Sequence, residues 1–411
     1  MRGSRRVRLG LPQAQAFWVF GAVTLLVGLG LPSCQKSWAA TDAEPKSSVL
    51  DGEYVAGGGP AEYTQMPRRH AGDLKKRPKV QSGQATIEQV ESNPWASPED
   101  CEAVLARGAR AQRPKGMARL ATWNIRWFPD GVPGHAATPE QGTDLKWLAC
   151  VIAWLNIDAL ALQEVKAESA ARAKLENVVA DLDVRSGDSW SVSVDQCSPQ
   201  NGQHVAWLYD SSKVKVTDFI QYASVNPRGS ACADQLRPGL GVTMKFPGGL
   251  DLQAVTIHLK SGVTQRDVDL RRRSWSALSE VIVDAAKRTR DSDVLIMGDF
   301  NSMGCRSCEF PYGSTSELAD LDRQLRVGEL PARRIGADFP CSHYFQKQPG
   351  LLDHVVVTEA TRELSTQVRA TVEGYCRSLN CEPFSGSEPN AYRRLSDHCP
   401  VVIELADRDL D

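Results

Sequence analysis

Short apolar runs alternate with longer amphipathic stretches from about residue 117 to the end of the chain. Apolar runs of about four to eight residues bounded by glycine or polar residues are typical of buried strands. The predicted strands are ARLATWNI, IDALALQEV, HVAWLYD, VTMKF, LQAVTIHLK, VLIMGD, HVVV and CPVVIEL. Several follow one another closely enough to form hairpin-like pairs, so we expect an α/β fold with a mixed sheet or two sheets.

Two stretches show the apolar spacing of an amphipathic helix. In TDLKWLACVIAWLN, apolar residues recur at helical spacing from Leu145 to Leu155, and Thr143 is a candidate N-cap. In DVDLRRRSWSALSEVIVDAAKRT, the same spacing places Leu278 inward and Arg271 outward. We therefore predict that the arginine triplet of the second helix is a solvated face.

The N-terminal region lacks this dense pattern. Residues 1–33 combine a basic start, MRGSRRVRLG, with the apolar stretch VFGAVTLLVGLGL, which is short for a membrane span and is typical of a signal peptide. LPSC resembles a lipobox, in which Cys34 would become a lipidated first residue. The alternative is cleavage near SWAA, which would release a soluble protein. Both predict export, as an outer-membrane or periplasmic lipoprotein or as a secreted protein.

Residues 34–115 are rich in Gly, Pro, Ser, Ala and charge, which predicts a tether with little apolar material to order it. A short helix is expected near SPEDCEAVLARGAR, where Ser97 is a good N-cap and Cys101 could attach the segment to the domain. Residues 116–411 then form the folded domain.

Composition narrows the function only slightly. Hydrophobic residues make up 42% of the 411 and charged residues 24%, as in ordinary globular proteins. The formal net charge is −2, whereas a protein that coats nucleic acid without sequence preference is normally basic. Contact with phosphate must therefore be local, and a metal ion would supply the missing positive charge.

Cysteine usage agrees with export. The chain has 11 cysteines, so an even number remains when Cys34 is set aside, which suggests disulfides whose pairing cannot be deduced from sequence. Cys376 and Cys381 are a plausible local pair. Cys305 and Cys308 could form half a zinc site or a redox motif, but the chain has no second CxxC, which favours a disulfide.

Polar residues stand at six predicted strand ends where apolar ones would be expected. They are Asn124, Glu164, His258, Asp299 with Asn301, Asp353, and Asp397 with His398. Each alone could satisfy a turn or the protein core. If the strand ends converge, one explanation covers all of them: carboxylate and amide oxygens suit Mg²⁺ or Mn²⁺, and imidazoles suit proton transfer at a phosphate.

These motifs also carry a family resemblance. WNIRW, LQEV, IHLKSG, GDFNS, LDHVVV and SDHCPVV, in this order over residues 117–406, resemble the endonuclease/exonuclease/phosphatase superfamily with its DNase I-like fold. The resemblance implies a four-layered α/β sandwich, in which two packed mixed β-sheets are flanked by helices. It also implies hydrolysis of phosphate esters that depends on a divalent metal ion.

The resemblance assigns three overlapping sets of residues. The implied metal ligands are Glu164, as the principal one, with Asn124 and Asp397. The implied phosphate-binding residues are Arg237, His258 and Asn301. The implied catalytic residues are His258, Asp299, Asn301, Asp353 and His398, with His398 as a general base or phosphate contact whose ring Asp353 holds.

One feature departs from the family pattern. Nuclease members often pair the histidine on the leaving-group side with a carboxylate from an earlier strand. The matching stretch here, NGQHVAWLYD, offers Gln203 and His204 but no acid. It therefore stays open whether His258 is a strong general acid or chiefly a phosphate ligand.

Three functions are compatible with these residues. The first is an exported Mg²⁺-dependent phosphodiesterase, a monomer that cleaves DNA or RNA as a nuclease. The second is a sphingomyelinase or another phospholipase C-type enzyme, or an inositol-phosphate phosphatase; a sphingomyelinase would need an exposed aromatic hairpin, whereas the ten tryptophans are dispersed. The third is a non-catalytic surface-binding protein, which the retained carboxylates and histidines disfavour. Membrane contact is expected only through a lipid anchor at Cys34.

Overall fold

The computed structural model describes residues 93–197, 202–230, 232 and 236–411. The predicted signal peptide, Cys34 and the tether as far as residue 92 lie outside the described residues. Within these ranges, none of the helices has both the length and the apolar character that a membrane span requires.

Two six-stranded sheets form the centre of the described domain. The strands of the first, in spatial order, are β13 (Thr371–Val372), β14 (Val401–Ala406), β1 (Met117–Phe128), β2 (Ala159–Lys166), β4 (Gln203–Asp210) and β3 (Trp190–Val194). The strands of the second are β5 (Lys215–Tyr222), β6 (Gly239–Lys245), β7 (Asp251–His258), β8 (Val294–Asp299), β12 (Asp353–Thr358) and β9 (Ala332–Ile335). A separate hairpin pairs β10 (His343–Phe345) with β11 (Gln348–Gly350).

Both sheets are mixed. In the first, β1 and β2 are parallel, and in the second, β7 and β8 are parallel, while the remaining neighbours are antiparallel. Each parallel pair is connected by a helix, as such a crossover requires. The helices are α1 (Pro98–Ala106), α2 (Leu145–Leu155), α3 (Ser169–Ser186), α4 (Gln265–Thr289), α5 (Ser314–Arg326), α6 (Tyr375–Ser378) and α7 (Asn390–Arg394).

The core has two parts because successive residues of a strand face opposite sides of its sheet. On β8, Met297 belongs to the cluster shared with the first sheet, α2 and α3, whereas Ile296 belongs to the cluster under α4 and α5. Val355 and Val356 of β12 divide in the same way. The order of layers is thus helix, sheet, sheet, helix, which confirms the predicted α/β sandwich.

Two expectations about the helices are wrong. Asp144, not Thr143, caps α2, since its side chain accepts a hydrogen bond from Trp147 N at 3.1 Å. Arg271 on α4 is fully buried rather than solvated, because Glu317 of α5 meets its guanidinium at 2.8 Å. Helical spacing identified the apolar stripe of α4 but could not reveal that a second helix covers one of its arginines.

Packing begins before residue 116. Trp95 is 6% exposed and packs edge-on against Trp123, with ring centroids 5.8 Å apart. The Ser97 side chain caps α1, as predicted, and a disulfide joins Cys101 of α1 to Cys150 of α2. The described part of the segment that the sequence analysis assigned to the tether therefore packs on the domain.

Ten cysteines of the described region form five disulfides. The pairs are Cys101–Cys150, Cys197–Cys232, Cys305–Cys308, Cys341–Cys381 and Cys376–Cys399. The disulfide in the CxxC motif is confirmed. The local pair Cys376–Cys381 is wrong, because α6 places Cys376 against the segment that leads into β14, and proximity in sequence does not decide the partner.

Candidate active site

Three polar residues stand side by side on neighbouring strands of the second sheet. His258 and Asp299 end the parallel strands β7 and β8 and are partners in register. Asp353 begins the antiparallel strand β12 and is the register partner of Asp299. All three are at most 4% exposed. The sheet register alone thus aligns an imidazole and two carboxylates.

Asn124 connects this row to the first sheet. The side chain is completely buried and its Nδ2 donates to Asp299 Oδ2 at 3.0 Å and to Glu164 Oε1 at 3.1 Å. Its Oδ1 accepts from Arg126 N. The predicted convergence of these strand ends is therefore present, since one amide contacts a carboxylate from each sheet.

The backbone around Glu164 is irregular. The pairing of β1 with β2 shifts after Asn124, and Glu164 adopts a left-handed conformation with φ 62°. Trp127 N donates to Glu164 Oε2 at 2.9 Å, which holds the carboxylate in place. Left-handed backbone at a non-glycine residue costs about 1–3 kcal/mol and tends to occur at functional sites.

Gly298 allows the close approach of β7 and β8 beside the site. Its φ is 152°, and a Cβ at this position would lie 2.0 Å from the carbonyl oxygen of Ile257. Any larger residue would push β8 away from β7. The glycine of the GDFN motif is therefore required for the alignment of Asp299 with His258.

His398 and Asp353 form a buried pair. Asp353 Oδ2 lies 2.8 Å from His398 Nδ1 and accepts a hydrogen bond from Ser342 Oγ at 2.7 Å. Burial by itself would lower the pKa of His398, but Asp353 raises it, and Asp299 and Asp397 add to this effect, so that the pKa reaches about 10. The raised pKa favours the imidazolium form of the ring, whose Nε2 lies 3.9 Å from Asp299 Oδ2.

The carboxylates of the site are crowded. Burial, followed by the charge of Asp353, raises the pKa of Asp299 to about 7, against the opposing influence of His398. Burial and then the charge of Asp397 also raise the pKa of Glu164. Negative charge therefore exceeds what the neighbouring histidines neutralise, as expected where a cation belongs.

His258 is a neutral imidazole. Burial, followed by the charges of Arg237 and His398, lowers its pKa well below the ordinary histidine value. Nε2 faces Asp299 Oδ2 at 3.5 Å and Glu164 Oε1 at 3.8 Å. Among the described residues, Nδ1 has no hydrogen-bond partner, so no carboxylate of this part of the chain binds Nδ1.

The acid that the sequence analysis missed is Asp195, which follows β3. It binds His204 Nδ1 at 2.6 Å and the backbone N–H of Val205 at 2.9 Å, and it is buried. The sequence analysis did not predict β3, so the position of Asp195 at its end gave no signal. Asp195 meets His204 and not His258, so the departure from the family pattern persists at His258.

Arg237 and Asn301 lie beside His258. Arg237 Nη2 and Asn301 Nδ2 both donate to the carbonyl oxygen of Leu259, at 3.3 and 3.1 Å. Asn301 N also donates to Asp299 Oδ1 at 2.8 Å. These contacts bring both predicted phosphate-binding residues next to the imidazole that shares that role.

Asp397 is the most accessible of the predicted metal ligands. Its side chain is 22% exposed, and Arg126 Nε lies 3.9 Å away. After burial, its charge is the next cause that raises the pKa of Glu164. A second set of ligand atoms, from Asp299, Asp353 and His398, lies within 4.8 Å of one another. The acidic oxygen donors suit a hard divalent ion.

His343 is a site residue that sequence reasoning missed. Its ring centroid lies 4.4 Å from that of His398, and burial lowers its pKa well below the ordinary value. Tyr344 N donates to the Asp397 carbonyl oxygen, which anchors β10 beside the site. The strand that contains His343, β10, has three residues, which are too few to produce a recognisable periodic pattern.

Comparison with known proteins identifies the family. The family model described as "Endonuclease/Exonuclease/phosphatase family" matches residues 121–398. No curated protein matches the chain significantly. Similar solved structures include an endonuclease/exonuclease/phosphatase from Bacteroides vulgatus, at 18% identity and TM-score 0.45, with 72% of this chain and 100% of that chain covered.

Two further structures have the same degree of similarity. The human Nocturnin catalytic domain with bound sulfate is 13% identical, with a TM-score of 0.45 and coverage of 71% of this chain and 95% of that chain. The mannosyl-6-phosphatase of Bacteroides thetaiotaomicron is 15% identical, with a TM-score of 0.46 and coverage of 70% and 99%.

Proposed function

The chain belongs to the endonuclease/exonuclease/phosphatase family, whose members are phosphoesterases, and we propose that it is an exported Mg²⁺-dependent phosphodiester hydrolase, a nuclease that cleaves DNA or RNA. One observation supports this most directly. The amide of Asn124 contacts both Glu164 and Asp299, so acidic groups from both sheets surround one point. Such a site suits hydrolysis of a phosphate ester.

Glu164, Asn124 and Asp397 are the proposed metal ligands. Asn124 would bind the ion through Oδ1 after its amide turns, because Nδ2 faces the carboxylates in this structure. When bound there, Mg²⁺ or Mn²⁺ would polarise a phosphoryl oxygen, and its positive charge would offset the carboxylates that raise the pKa of His398. Trp127 N positions Glu164 for this role through its hydrogen bond to Oε2.

His398 is the proposed general base. Its Nδ1 is fixed on Asp353, so the neutral ring keeps its acceptor nitrogen, Nε2, on the side of Asp299. From there it can take a proton from a water molecule that attacks phosphorus. The Asp353 carboxylate then stabilises the imidazolium that forms.

His258, Arg237 and Asn301 are proposed to stabilise the phosphoryl oxygens. A neutral His258 can donate a hydrogen bond from Nε2, while Arg237 and Asn301 carry fixed donors beside it. Preorganised donors of this kind stabilise charge that develops in the transition state. Since no described carboxylate orients Nδ1, we favour phosphate binding over strong acid catalysis for His258.

An exposed aromatic residue beside the site supports a nucleic acid substrate. Phe345 lies two residues after His343 on β10, so both side chains face the same side of that strand, and Phe345 is 58% exposed. A single exposed ring can stack on a nucleobase. The other large apolar side chains exposed in the described ranges are dispersed over other elements, whereas an enzyme that inserts into lipid needs a contiguous patch.

Export is proposed from the N-terminal sequence, and the five disulfides support it, because such bonds persist in oxidising compartments. Fractionation of cells that express the full chain and its Cys34→Ala variant tests the anchor. A lipoprotein moves from the membrane to the soluble fraction on substitution. An unchanged soluble distribution supports cleavage near SWAA, and retention of the native chain in the cytoplasm contradicts export.

The substrate class is tested by incubating the purified protein with Mg²⁺ against plasmid DNA, RNA, sphingomyelin and p-nitrophenyl phosphate esters, with EDTA as the control. We expect loss of plasmid supercoiling or cleavage of RNA, which EDTA abolishes. Turnover of sphingomyelin alone, or of the small phosphate esters alone, would contradict the nuclease proposal and leave the hydrolase site intact.

A further inference from the structure

A second group of carboxylates lies at the opposite end of β8 from Asp299. Five acidic residues form it, and we call it the distal acidic cluster: Asp291, Asp293, Glu363, Asp409 and Asp411. Ligand atoms of Asp291, Asp293 and Asp411 lie within 4.8 Å of one another, and so do those of Glu363, Asp409 and Asp411. Asp411 belongs to both groups, so the five carboxylates are contiguous.

Two members of the distal acidic cluster are buried and incompletely bonded. Asp293 is 2% exposed and Glu363 is 4% exposed. Glu363 Oε1 accepts from Leu410 N at 2.6 Å, and the Asp293 side chain is bonded to Thr361 and Glu363. Glu363 Oε2 and Asp293 Oδ1 have no hydrogen-bond donor in the described part of the chain. Burying a carboxylate oxygen without a donor or cation is costly. The buried oxygens therefore indicate a missing ligand.

The described part of the chain pairs no cation with the distal acidic cluster. In the ranges that the structure describes, no ion pair within 4.0 Å joins a lysine, arginine or histidine to these five carboxylates. Lys245 is close enough to feel the charge of Asp291, but its ammonium is paired with Asp251 at 2.8 Å. A ligand that satisfies the cluster must be positively charged.

We propose that the distal acidic cluster binds Ca²⁺. The available ligands are oxygen atoms, and Ca²⁺ accepts about six to eight of them in flexible geometry, whereas Mg²⁺ requires a nearly regular octahedron. Three chain segments contribute: the residues before β8, the segment after β12, and the segment after β14. Since β14 is in the first sheet and β8 in the second, a bound ion would fasten the last segment to the neighbouring sheet.

The test measures the Tm of the full chain, stripped of metal with EDTA, before and after addition of Ca²⁺ or Mg²⁺. For a Kd of about 0.1–1 mM, about 10 mM CaCl₂ should raise the Tm by about 3–5 °C, and MgCl₂ should raise it less. The same experiment on Glu164→Gln separates this cluster from the candidate active site. We expect the Ca²⁺ shift to survive that substitution.

Charge-removing variants give the decisive comparison. Glu363→Gln and Asp411→Asn should lose the Ca²⁺ shift, yet in EDTA they should be at least as stable as the wild type, because repulsion is relieved. Asp411 is exposed, so its replacement does not endanger folding. Glu359→Gln removes an exposed charge four residues from Glu363 and should keep the full shift. A wild type unaffected by Ca²⁺, or an equal shift in both cluster variants, would overturn the proposal.

Discussion

Asn124 shows how much a single side chain contributes to this site. Its amide is shared between Glu164 of the first sheet and Asp299 of the second, and its carbonyl oxygen accepts from Arg126 N. A carboxylate in its place would add charge where the pKa values of both acids are already raised. An amide therefore organises the acidic groups without adding to their repulsion.

Replacement of His398 by Ala should lower kcat for nucleic acid cleavage by about 10²–10⁴-fold, the usual contribution of a positioned acid or base. KM should change little, since the substrate contacts assigned to Arg237, Asn301 and Phe345 remain. Initial rates in Mg²⁺, with the Tm measured in parallel, check this. His135→Ala, at a histidine whose side chain is 85% exposed, is the control and should have wild-type rates. Undiminished cleavage by His398→Ala would refute the role as base.

Replacement of Phe345 by Ala tests base stacking. Stacking contributes about 1–3 kcal/mol per base, so KM for single-stranded DNA should rise by about 5- to 150-fold while kcat stays near the wild-type value. Hydrolysis of p-nitrophenyl phosphate esters, which carry no nucleobase, should not change. Phe219→Ala on the edge strand β5 is the matched control at another exposed phenylalanine. An unchanged KM for DNA would exclude Phe345 as a contact.

Sequence reasoning located residues that interrupt an apolar pattern. Asn124, Glu164, Asp299 and Asp353 stand in or beside buried strands, so each was recognisable as a polar exception. His343 lies in a strand of three residues, where no pattern exists to interrupt, and it was missed. The partner of His204 was missed because Asp195 is bound through tertiary pairing of β3 with β4, which periodicity does not encode.

At the scale of elements, α4 and α5 support two loops beside the site. Arg271 of α4 donates to the carbonyl oxygens of Lys260 and Gly262, after β7, and of Gly304, after β8. Glu317 of α5 pairs with Arg271 and accepts from Gly304 N. This buried ion pair thus holds the loop that follows His258 and the loop that follows Asp299.

Replacement of Arg271 by Met should destabilise the protein by about 3–5 kcal/mol, because it leaves the buried Glu317 carboxylate without a positively charged partner. The neighbouring variant Arg272→Met removes a half-exposed arginine and its surface pair with Asp320, which should cost about 1 kcal/mol or less. Denaturant unfolding of both variants measures the difference. Equal losses of stability would show that the buried pair has no special role.

Most of the buried strands were predicted because they are apolar runs, and α2 and α4 because they carry apolar stripes, so neighbouring residues determine them. The helices α3 and α5 and the largely unburied strand β5 were not predicted. The very short strands β11 and β13 and the burial of Arg271 depend on contacts with distant segments. Local periodicity carries no information about such contacts.

At the scale of the molecule, stability should depend on pH through the distal acidic cluster. The pKa of Asp293 is about 8 in the folded protein, against about 4 for an unfolded carboxyl group. Over this range the folded state holds a proton that the unfolded state has lost. The stabilisation is therefore complete below pH 4 and is lost as the pH rises through 8.

Melting curves in EDTA between about pH 6 and 9 test this expectation. The Tm of the wild type should fall relative to that of Asp293→Asn as the pH rises, because the amide does not titrate. Asp299, whose pKa is raised to about 7, contributes in the same direction, but it is present in both proteins. A difference in Tm that does not vary with pH would contradict the shifted pKa of Asp293.

The facing of the two sheets could be predicted only through the family resemblance. Neither strand patterns nor helix stripes state that β1 and β2 lie opposite β7 and β8, and cysteine spacing suggested one incorrect disulfide. The motifs did indicate this arrangement, because one explanation accounts for their polar residues only when the strand ends lie close together. Recognition of the family thus depended on chemistry, and the order of strands followed from it.

The most direct test of a metal-centred site is the rate of plasmid nicking as a function of Mg²⁺ concentration, measured for the wild type and for Glu164→Gln. The Tm of both proteins is measured in parallel, to show that the substitution does not change stability. We expect the wild type to need Mg²⁺ and to lose all activity in EDTA, and the variant to be slower by at least about 10²-fold at saturating Mg²⁺. Nicking that persists in EDTA, or a variant as fast as the wild type with the same Mg²⁺ dependence, would contradict a metal-centred site at Glu164.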